Sequence, residues 1–237
     1  MAVSIHWVSR LVIFAVLPSA KAVTVIPAKA GPDDVLGFDT GPGNMLLDGL
    51  VRHATGGKRR FDAGGRLAEQ GKVIQPLLAK LLRLDFFRRP PPKSTGREQF
   101  GDKFLATHFL ERPASSLERQ RLNLPEPQFK DLLRTVAELT VRSIAGALRD
   151  YVFPRGQIDR LIVSGGGTRN QLLMRRLREL MPEVTFHLSD DYGLPADAKE
   201  AIAFAVLADR SLHGLPGNLP RVTGAHRAVV LGKLVSS

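Results

Sequence analysis

The chain has 237 residues, enough for one large or two unequal domains, and its 43% hydrophobic and 24% charged residues are typical of globular proteins. The absence of cysteine excludes disulfide bonds, thiolate metal ligands and cysteine nucleophiles. A net charge of +11 would suit nucleic acid or an anionic membrane, but the basic residues are dispersed and 6% of residues are aromatic. This favours a solvated basic surface, with neither nucleic acid nor membrane as partner. The scattered histidines lack metal-ligand spacing, so no metal site is predicted.

Residues 1–22 allow two interpretations. An apolar run over residues 11–17 is followed by Ala20, Lys21 and Ala22, the small-x-small spacing of a signal-peptidase site, which suggests a secretory signal. The run is too short to span a bilayer. The alternative is that this segment is an altered first strand of the domain that follows.

A β-hairpin is predicted over Val23–Ile26 and Val35–Phe38, because both segments are apolar and a Gly/Pro/Asp turn separates them. Its second strand enters the stretch GFDTGPGNMLLD and delivers Asp39 to a glycine-rich turn. Asn44 is the predicted N-cap of the next helix. A carboxylate near a helix N-terminus suits a general base acting on a phosphorylated ligand. The alternative is a turn residue that hydrogen-bonds its own backbone.

The middle of the chain is predicted to be mainly helical. Apolar spacing indicates helices over residues 73–84, with Pro76 in the first turn, over 100–110 and, most clearly, over 129–148. Residues 86–97 are predicted to be a loop and residues 111–127 a polar connector. Within the loop, KSTG lacks the upstream glycine of a P-loop; its hydroxyls suit either a sugar ligand or a solvated surface.

Strands and helices alternate after residue 129, which indicates α/β layering. A strand over residues 159–163 runs into the glycine turn SGGG and a helix over 171–181; another strand follows at 184–188. Such a turn lets a flat ligand or a phosphate approach the backbone, although alone it is often an ordinary strand-to-helix connection. A helix over 196–212 has Asp197 as its predicted N-cap, with Glu200 at the capping-box position. Residues 229–231 are predicted to form a terminal strand.

Five motifs, in order, resemble those of the anhydro-N-acetylmuramic acid kinases: GFDTGPGNMLLD, PPKSTGREQF, VSGGGTRNQLLMRRL, GLPADAKEAIAFAVLA and PGNLPRVTGA. The resemblance covers about residues 23–235. It implies an α/β fold of the two-lobed hexokinase–actin–Hsp70 superfamily, with a ribonuclease H-like mixed sheet flanked by helices. Residues 23–237 would be the C-terminal lobe, and ATP would bind between the lobes.

The resemblance also implies a reaction. Water attacks C1 of 1,6-anhydro-N-acetylmuramic acid, and the freed O6 takes the γ-phosphoryl group of MgATP, giving N-acetylmuramic acid 6-phosphate. The step belongs to peptidoglycan recycling in the bacterial cytoplasm, and the family is typically dimeric. Asp39 matches the general base. The nucleotide-binding positions are matched by Gly165, Gly166, Gly167 and Asn170. The sugar-binding positions are matched by Glu200, Thr95 and Gly96.

The N-terminal sequence departs from the family pattern. Members begin with a lobe whose Gly-Thr-Ser-x-Asp-Gly loop holds ATP phosphates, and a glycine-rich turn precedes the Val-Thr-Val strand. Neither is found here, and residues 17–22 carry no glycine. We therefore expect little or no kinase activity from this chain alone. The alternatives are a non-catalytic half-kinase with residual nucleotide or sugar binding, and a basic nucleic-acid binder.

Overall fold

The structure, a computed structural model, describes residues 12–16, 22–26, 35–110, 125–156 and 158–233. Its strands form one sheet in the order β3-β2-β1-β4-β5. They are β1 Val12–Val16, β2 Ala22–Ile26, β3 Leu36–Asp39, β4 Arg160–Ser164 and β5 Thr185–Leu188. Strand β2 is antiparallel to β1 and β3, while β1–β4 and β4–β5 are parallel. The predicted hairpin is confirmed, and β1, β3, β4 and β5 end at the same edge.

The described part of the N-terminal segment lies inside the sheet. Val12–Val16 pairs with β2 on one side and β4 on the other. Residues 12–16 are therefore a strand of this sheet. The other residues of 1–21 lie outside the described ranges, so the signal-peptidase site stays a prediction.

The helices predicted over 73–84, 129–148, 171–181 and 196–212 are found with bounds that differ by a few residues, whereas the helix predicted over 100–110 is divided at Gly101 and ends in a π-helix, Ala106–Leu110. The α-helices are α1 Met45–Thr55, α2 Arg66–Glu69, α3 Gln75–Leu82, α4 Asp85–Arg88, α5 Arg97–Phe100, α6 Asp102–Leu105, α7 Glu126–Tyr151, α8 Gln171–Leu180, α9 Lys199–Leu212 and α10 Pro220–Thr223. Pro76 lies in the first turn of α3, as predicted. The first three residues of the predicted loop over 86–97 belong to helix α4 instead. Phe86 in this helix is buried, and its ring centroid lies 5.2 Å from that of Phe100. Most of the predicted connector, residues 111–124, lies outside the described ranges.

Helix α7 is central to the packing and contacts α1, α2, α3 and α8. Its apolar face is buried, as its spacing predicted. The hydroxyl of Thr140 donates to the Gly43 carbonyl at 2.9 Å, which joins α7 to the turn after β3. A Cβ at Gly41 would lie 2.6 Å from Ser143 Oγ, so this turn needs glycine for close approach to α7.

Two C-terminal predictions are wrong. Helix α9 begins at Lys199, and Asp197 makes no cap; its carboxylate instead pairs with Arg169, with Oδ2 and Nη2 2.5 Å apart. Residues 229–231 form no strand, because Val229 is held by a loop in which the Gly217 N–H donates to its carbonyl at 2.9 Å.

Helix α9 buries none of its residues. Its exposed large apolar side chains are Ile202, Phe204, Val206 and Leu212. Despite this composition, none of the helices in the described ranges has the length and apolar character needed to cross a bilayer.

Candidate functional site

The two glycine-rich turns that follow β3 and β4 lie at the same edge of the sheet. Asp39 ends β3 and pairs with Ala22, while Ser164 ends β4 and pairs with Val16. Three strand spacings separate β3 from β4, which places the two ends roughly 14 Å apart. Strand β5 ends beside them, because the Ser189 hydroxyl donates to Ser164 Oγ at 2.9 Å. A ligand of nucleotide size can reach both turns.

The Asp39 carboxylate is buried and held by a distant loop. The Ser94 hydroxyl and the Thr95 N–H both donate to Asp39 Oδ2, at 3.1 and 2.8 Å. The Asp39 N–H donates to the Lys93 carbonyl at 2.9 Å. These partners lie more than fifty residues along the chain, so Asp39 is not a turn residue bonded to its own local backbone. Both side-chain hydrogen bonds reach Oδ2, and among the described residues none is found to Oδ1.

Lys93 holds this loop through a buried ammonium group. Its Nζ donates to the Phe86 carbonyl at 3.1 Å and lies 5.0 Å and 5.3 Å from the ring centroids of Phe86 and Tyr151. Burial, reinforced by Arg89 and opposed by Asp150, lowers the pKa of Lys93 to about 8. The loop that binds Asp39 therefore depends on a desolvated cation among aromatic rings.

This buried lysine predicts a pH dependence of stability. Between pH 8 and 10.5 the unfolded chain holds the Lys93 proton and the folded chain does not, so stability rises with pH. Relative to Lys93→Met, the free energy of unfolding should increase by at most about 3 kcal/mol over this range. Urea denaturation of both proteins at pH 7.5 and 10 measures the difference. A difference that does not change with pH would contradict the prediction.

Three residues are matched to the sugar side, and of these Thr95 and its neighbour Gly96 lie next to Asp39. Thr95 is buried, and its Oγ1 has no hydrogen-bond partner among the described residues. Gly96 follows it with an extended backbone and precedes α5. Glu200 is exposed in the first turn of α9, and among the described residues no hydrogen bond joins it to Asp39. The structure therefore brings Thr95 and Gly96 to the site but does not bring Glu200 there.

The second glycine turn presents open backbone. Gly165 has a φ of 90°, which favours glycine. Gly166 is exposed, and a Cβ added there would meet nothing within 4 Å. Gly167 is buried beneath the turn. Asn170 caps α8 by accepting from the Leu173 N–H at 3.2 Å. The turn and the capped helix start have the form that suits an anionic ligand.

A pocket of about 220 Å³ lies between this turn and the start of α1. It is lined by Asn44, Leu47, Asp48, Phe61, Asp62, Gly64, Gly166, Arg169 and Asn170. The N-cap predicted for Asn44 is wrong: its backbone is helical, with φ −81° and ψ −9°, and its side chain makes no cap hydrogen bond. An N-cap needs an extended backbone to turn its oxygen onto the following N–H groups.

Asp48 is a pocket residue for which the sequence predicted no role. It lies in the first turn of α1 and is partly buried. Burial raises the pKa of Asp48 to about 6, although the Arg52 guanidinium opposes the shift. A sequence signal was available, because Asp48 follows Asn44 by four residues and therefore shares its helix face.

The chain matches the family model of anhydro-N-acetylmuramic acid kinase over residues 20–237. It is 41% identical over 212 residues to the anhydro-N-acetylmuramic acid kinase of Caldanaerobacter subterraneus, covering 90% of the chain and 51% of the relative. The same-named protein of Gloeobacter violaceus is 47% identical over 210 residues, covering 89% and 51%. That of Salinibacter ruber is 44% identical over 216 residues, covering 90% and 50%. The chain thus spans about half the length of these curated relatives.

Proposed function

Because the chain belongs to the anhydro-N-acetylmuramic acid kinase family, we propose that it is one lobe of an ATP-dependent sugar kinase. The reaction would convert 1,6-anhydro-N-acetylmuramic acid, water and ATP to N-acetylmuramic acid 6-phosphate and ADP, in cytoplasmic peptidoglycan recycling. The observation that carries this proposal is the placement of the Asp39 carboxylate and the Gly165–Gly167 turn, with its exposed Gly166, at one edge of the sheet.

The sheet supports a finer assignment of the fold. Its order is β3-β2-β1-β4-β5, and β2 is the one strand antiparallel to its neighbours among those described. We assign it as a ribonuclease H-like lobe of the hexokinase–actin–Hsp70 type, in which residues 23–237, together with strand β1, form the C-terminal lobe. In α/β sheets, ligands bind beyond the carboxyl ends of parallel strands, and this is the edge at which both glycine turns lie.

Asp39 would act as the general base for the attacking water. Ser94 and Thr95 hold Oδ2, so the second oxygen, Oδ1, would be the one that accepts the water proton. A positioned carboxylate typically contributes about 10²–10⁴-fold to such a step. The water proton would pass to Asp39 as the C1–O6 bond breaks, and O6 would accept the γ-phosphoryl group. Thr95 and Gly96 would contact the sugar, and the family motif assigns the same role to Glu200.

Phosphoryl transfer requires mainly positioning and neutralisation of charge. The open backbone of Gly166 and the N-terminus of α8 after Asn170 would receive the nucleotide. Mg²⁺, which usually binds substrate phosphates together with water and one or two carboxylates, would arrive with ATP and supply charge neutralisation. The described residues contain no group of three His, Asp or Glu side chains that could hold a metal ion.

The nucleotide assignment can be tested by filling the open space at Gly166. In Gly166→Leu the side chain would cover the backbone where the nucleotide lies, and we expect ATP affinity to fall at least about tenfold, or 1.4 kcal/mol. Isothermal titration calorimetry of the purified chain measures it. Asp39→Asn should keep the ATP affinity of the wild type, because Asp39 serves the sugar side. Unchanged ATP affinity in Gly166→Leu with an unchanged melting temperature would refute the assignment.

Turnover separates a complete enzyme from a binding module. The chain covers half of its relatives, and we propose that by itself it binds ligand but releases ADP little or not at all in the presence of the anhydro-sugar. A coupled ADP assay on the purified chain tests this directly. ADP release that depends on the anhydro-sugar and is abolished in Asp39→Asn would show that this half is a working kinase.

A further inference from the structure

Asp48 is a partly buried carboxylate located where α1 faces the glycine turn. It lines the same 220 Å³ pocket as Gly166 and Asn170. Among the described residues, no hydrogen bond to its side chain is found, although the residue is partly buried. A partly desolvated carboxylate with no donor is costly, and it becomes favourable when a ligand supplies hydroxyl or N–H groups.

The charged groups around Asp48 do not provide that donor. Arg52 follows it by one turn on α1, and Asp62 and Arg169 line the same pocket. Arg169 is already paired with Asp197. On the opposite side, Arg97 and Asp102 line a second, smaller pocket that also includes Asp48.

The occupant that fits this pocket is a compact group rich in hydroxyls. The pocket is too small for a whole nucleotide, its floor is the exposed Gly166 backbone, and its walls offer the carboxylates of Asp48 and Asp62. Asp62 already accepts from the N–H groups of Leu67 and Ala68. Asp48 is therefore the available charged acceptor, beside the neutral Asn44 Oδ1, which is buried without a hydrogen-bond partner among the described residues. An O–H group bonded to a carboxylate makes a short, charge-assisted hydrogen bond. Acidic residues beside glycine turns accept ribose hydroxyls in dinucleotide-binding folds.

We propose that Asp48 binds the ribose hydroxyls of the nucleotide whose phosphates lie on the Gly165–Gly167 turn. This inference rests on the nucleotide role proposed above for that turn. It makes Asp48 a residue that selects ribonucleotides over their deoxy analogues. Hydroxyls of the amino sugar have the same chemistry, and the experiment has a separate arm for them.

The test compares ATP with 2′,3′-dideoxy-ATP by isothermal titration calorimetry on the full chain at pH 7.5. Wild type should bind ATP about tenfold more tightly, the value of one charge-assisted hydrogen bond. Asp48→Asn should bind ATP about tenfold more weakly and should no longer distinguish the two ligands. The preference of the wild type should fade as pH falls from 7.5 to 5, because the carboxyl takes up a proton near pH 6.

Asp102→Asn is the matched control, because Asp102 lines the pocket on the other side of Asp48 and pairs with His53 Nε2 at 2.9 Å. It should leave the preference for ATP intact. Retention of the preference in Asp48→Asn overturns the inference, and so does weakened binding of the anhydro-sugar with unchanged ATP binding. If wild type binds the two nucleotides with equal affinity, the inference about Asp48 is overturned but the proposed function is not. Failure of wild type to bind either nucleotide overturns the proposed function with it.

Discussion

Glu138→Ala is expected to lower the free energy of unfolding by about 3 kcal/mol, the lower end of the range for breaking a buried ion pair. Glu138 is 2% exposed within α7, and its Oε1 lies 2.9 Å from Arg176 Nη2 and 2.8 Å from Arg142 Nε. Removing the carboxylate deprives the guanidinium groups of Arg142 and Arg176 of the ion-pair partner that they share. The cost lies at the lower end because these arginines are partly exposed and can hydrate. Urea denaturation measures the change.

Glu179→Ala is the matched control, because Glu179 pairs with the same Arg176 at the surface. Exposed ion pairs contribute about 0–1 kcal/mol, so the free energy of unfolding of this variant should fall by no more than that amount. Similar losses in the two variants would contradict the assignment of the buried carboxylate as the important member of the cluster.

The Glu138 contribution should also depend on pH. Burial opposes ionisation, but hydrogen bonds from Arg176 and Arg142 outweigh it and hold the pKa of Glu138 below its ordinary value. The unfolded chain therefore takes up the proton at a higher pH than the folded chain. The stability difference between wild type and Glu138→Ala should be complete above about pH 4.5 and decline as the pH falls below it. Since Arg176 belongs to α8, this contact also fixes the helix that follows the glycine turn.

Gly71→Ala is expected to destabilise the fold by about 3 kcal/mol or more, at the upper end of the effects of overpacking. A Cβ at Gly71 would lie 2.1 Å from the carbonyl oxygen of Lys130 in α7. Because the obstacle is helix backbone, it cannot turn aside as a flexible side chain would. The same loop donates from the Lys72 N–H to Asp131 Oδ1 at 2.6 Å, so displacing the loop also breaks this bond.

Gly146→Ala is the matched control, because Gly146 lies within α7, the helix against which Gly71 packs. A Cβ there would meet nothing within 4 Å, and alanine favours a helix interior over glycine by roughly 0.5–1 kcal/mol. Thermal denaturation should therefore show a lower melting temperature for Gly71→Ala and an equal or higher one for Gly146→Ala. A Gly71→Ala protein as stable as wild type would show that the loop does not approach α7 this closely.

Much of the local structure could be predicted from the sequence because it is encoded by neighbouring residues. The periodicity over 129–148 requires one buried helical face, and the structure has α7 there. The alternation of apolar segments with glycine turns predicted the hairpin and the strand before SGGG, and both are confirmed. The five motifs predicted the family, which the comparisons confirm.

Local patterns failed at two predicted helix caps. Asn44 and Asp197 each precede a helix and have the right chemistry for a cap, but neither caps it. Asp197 pairs with Arg169, twenty-eight residues away, and a helical backbone turns the Asn44 side chain away from the α1 N–H groups. Such choices depend on groups that the fold brings close, and no local pattern records them.

The sequence by itself determined the elements, the family and the chemical character of the Asp39 and SGGG turns. Tertiary structure decided that both turns lie at one edge, that Ser94 and Thr95 hold Asp39, and that burial makes Asp48 a weaker acid. The physical reason is the range of the forces involved. Backbone preference and hydrophobic period act over a few residues, whereas burial and the partners of a carboxylate are set by segments that meet only after the chain has folded.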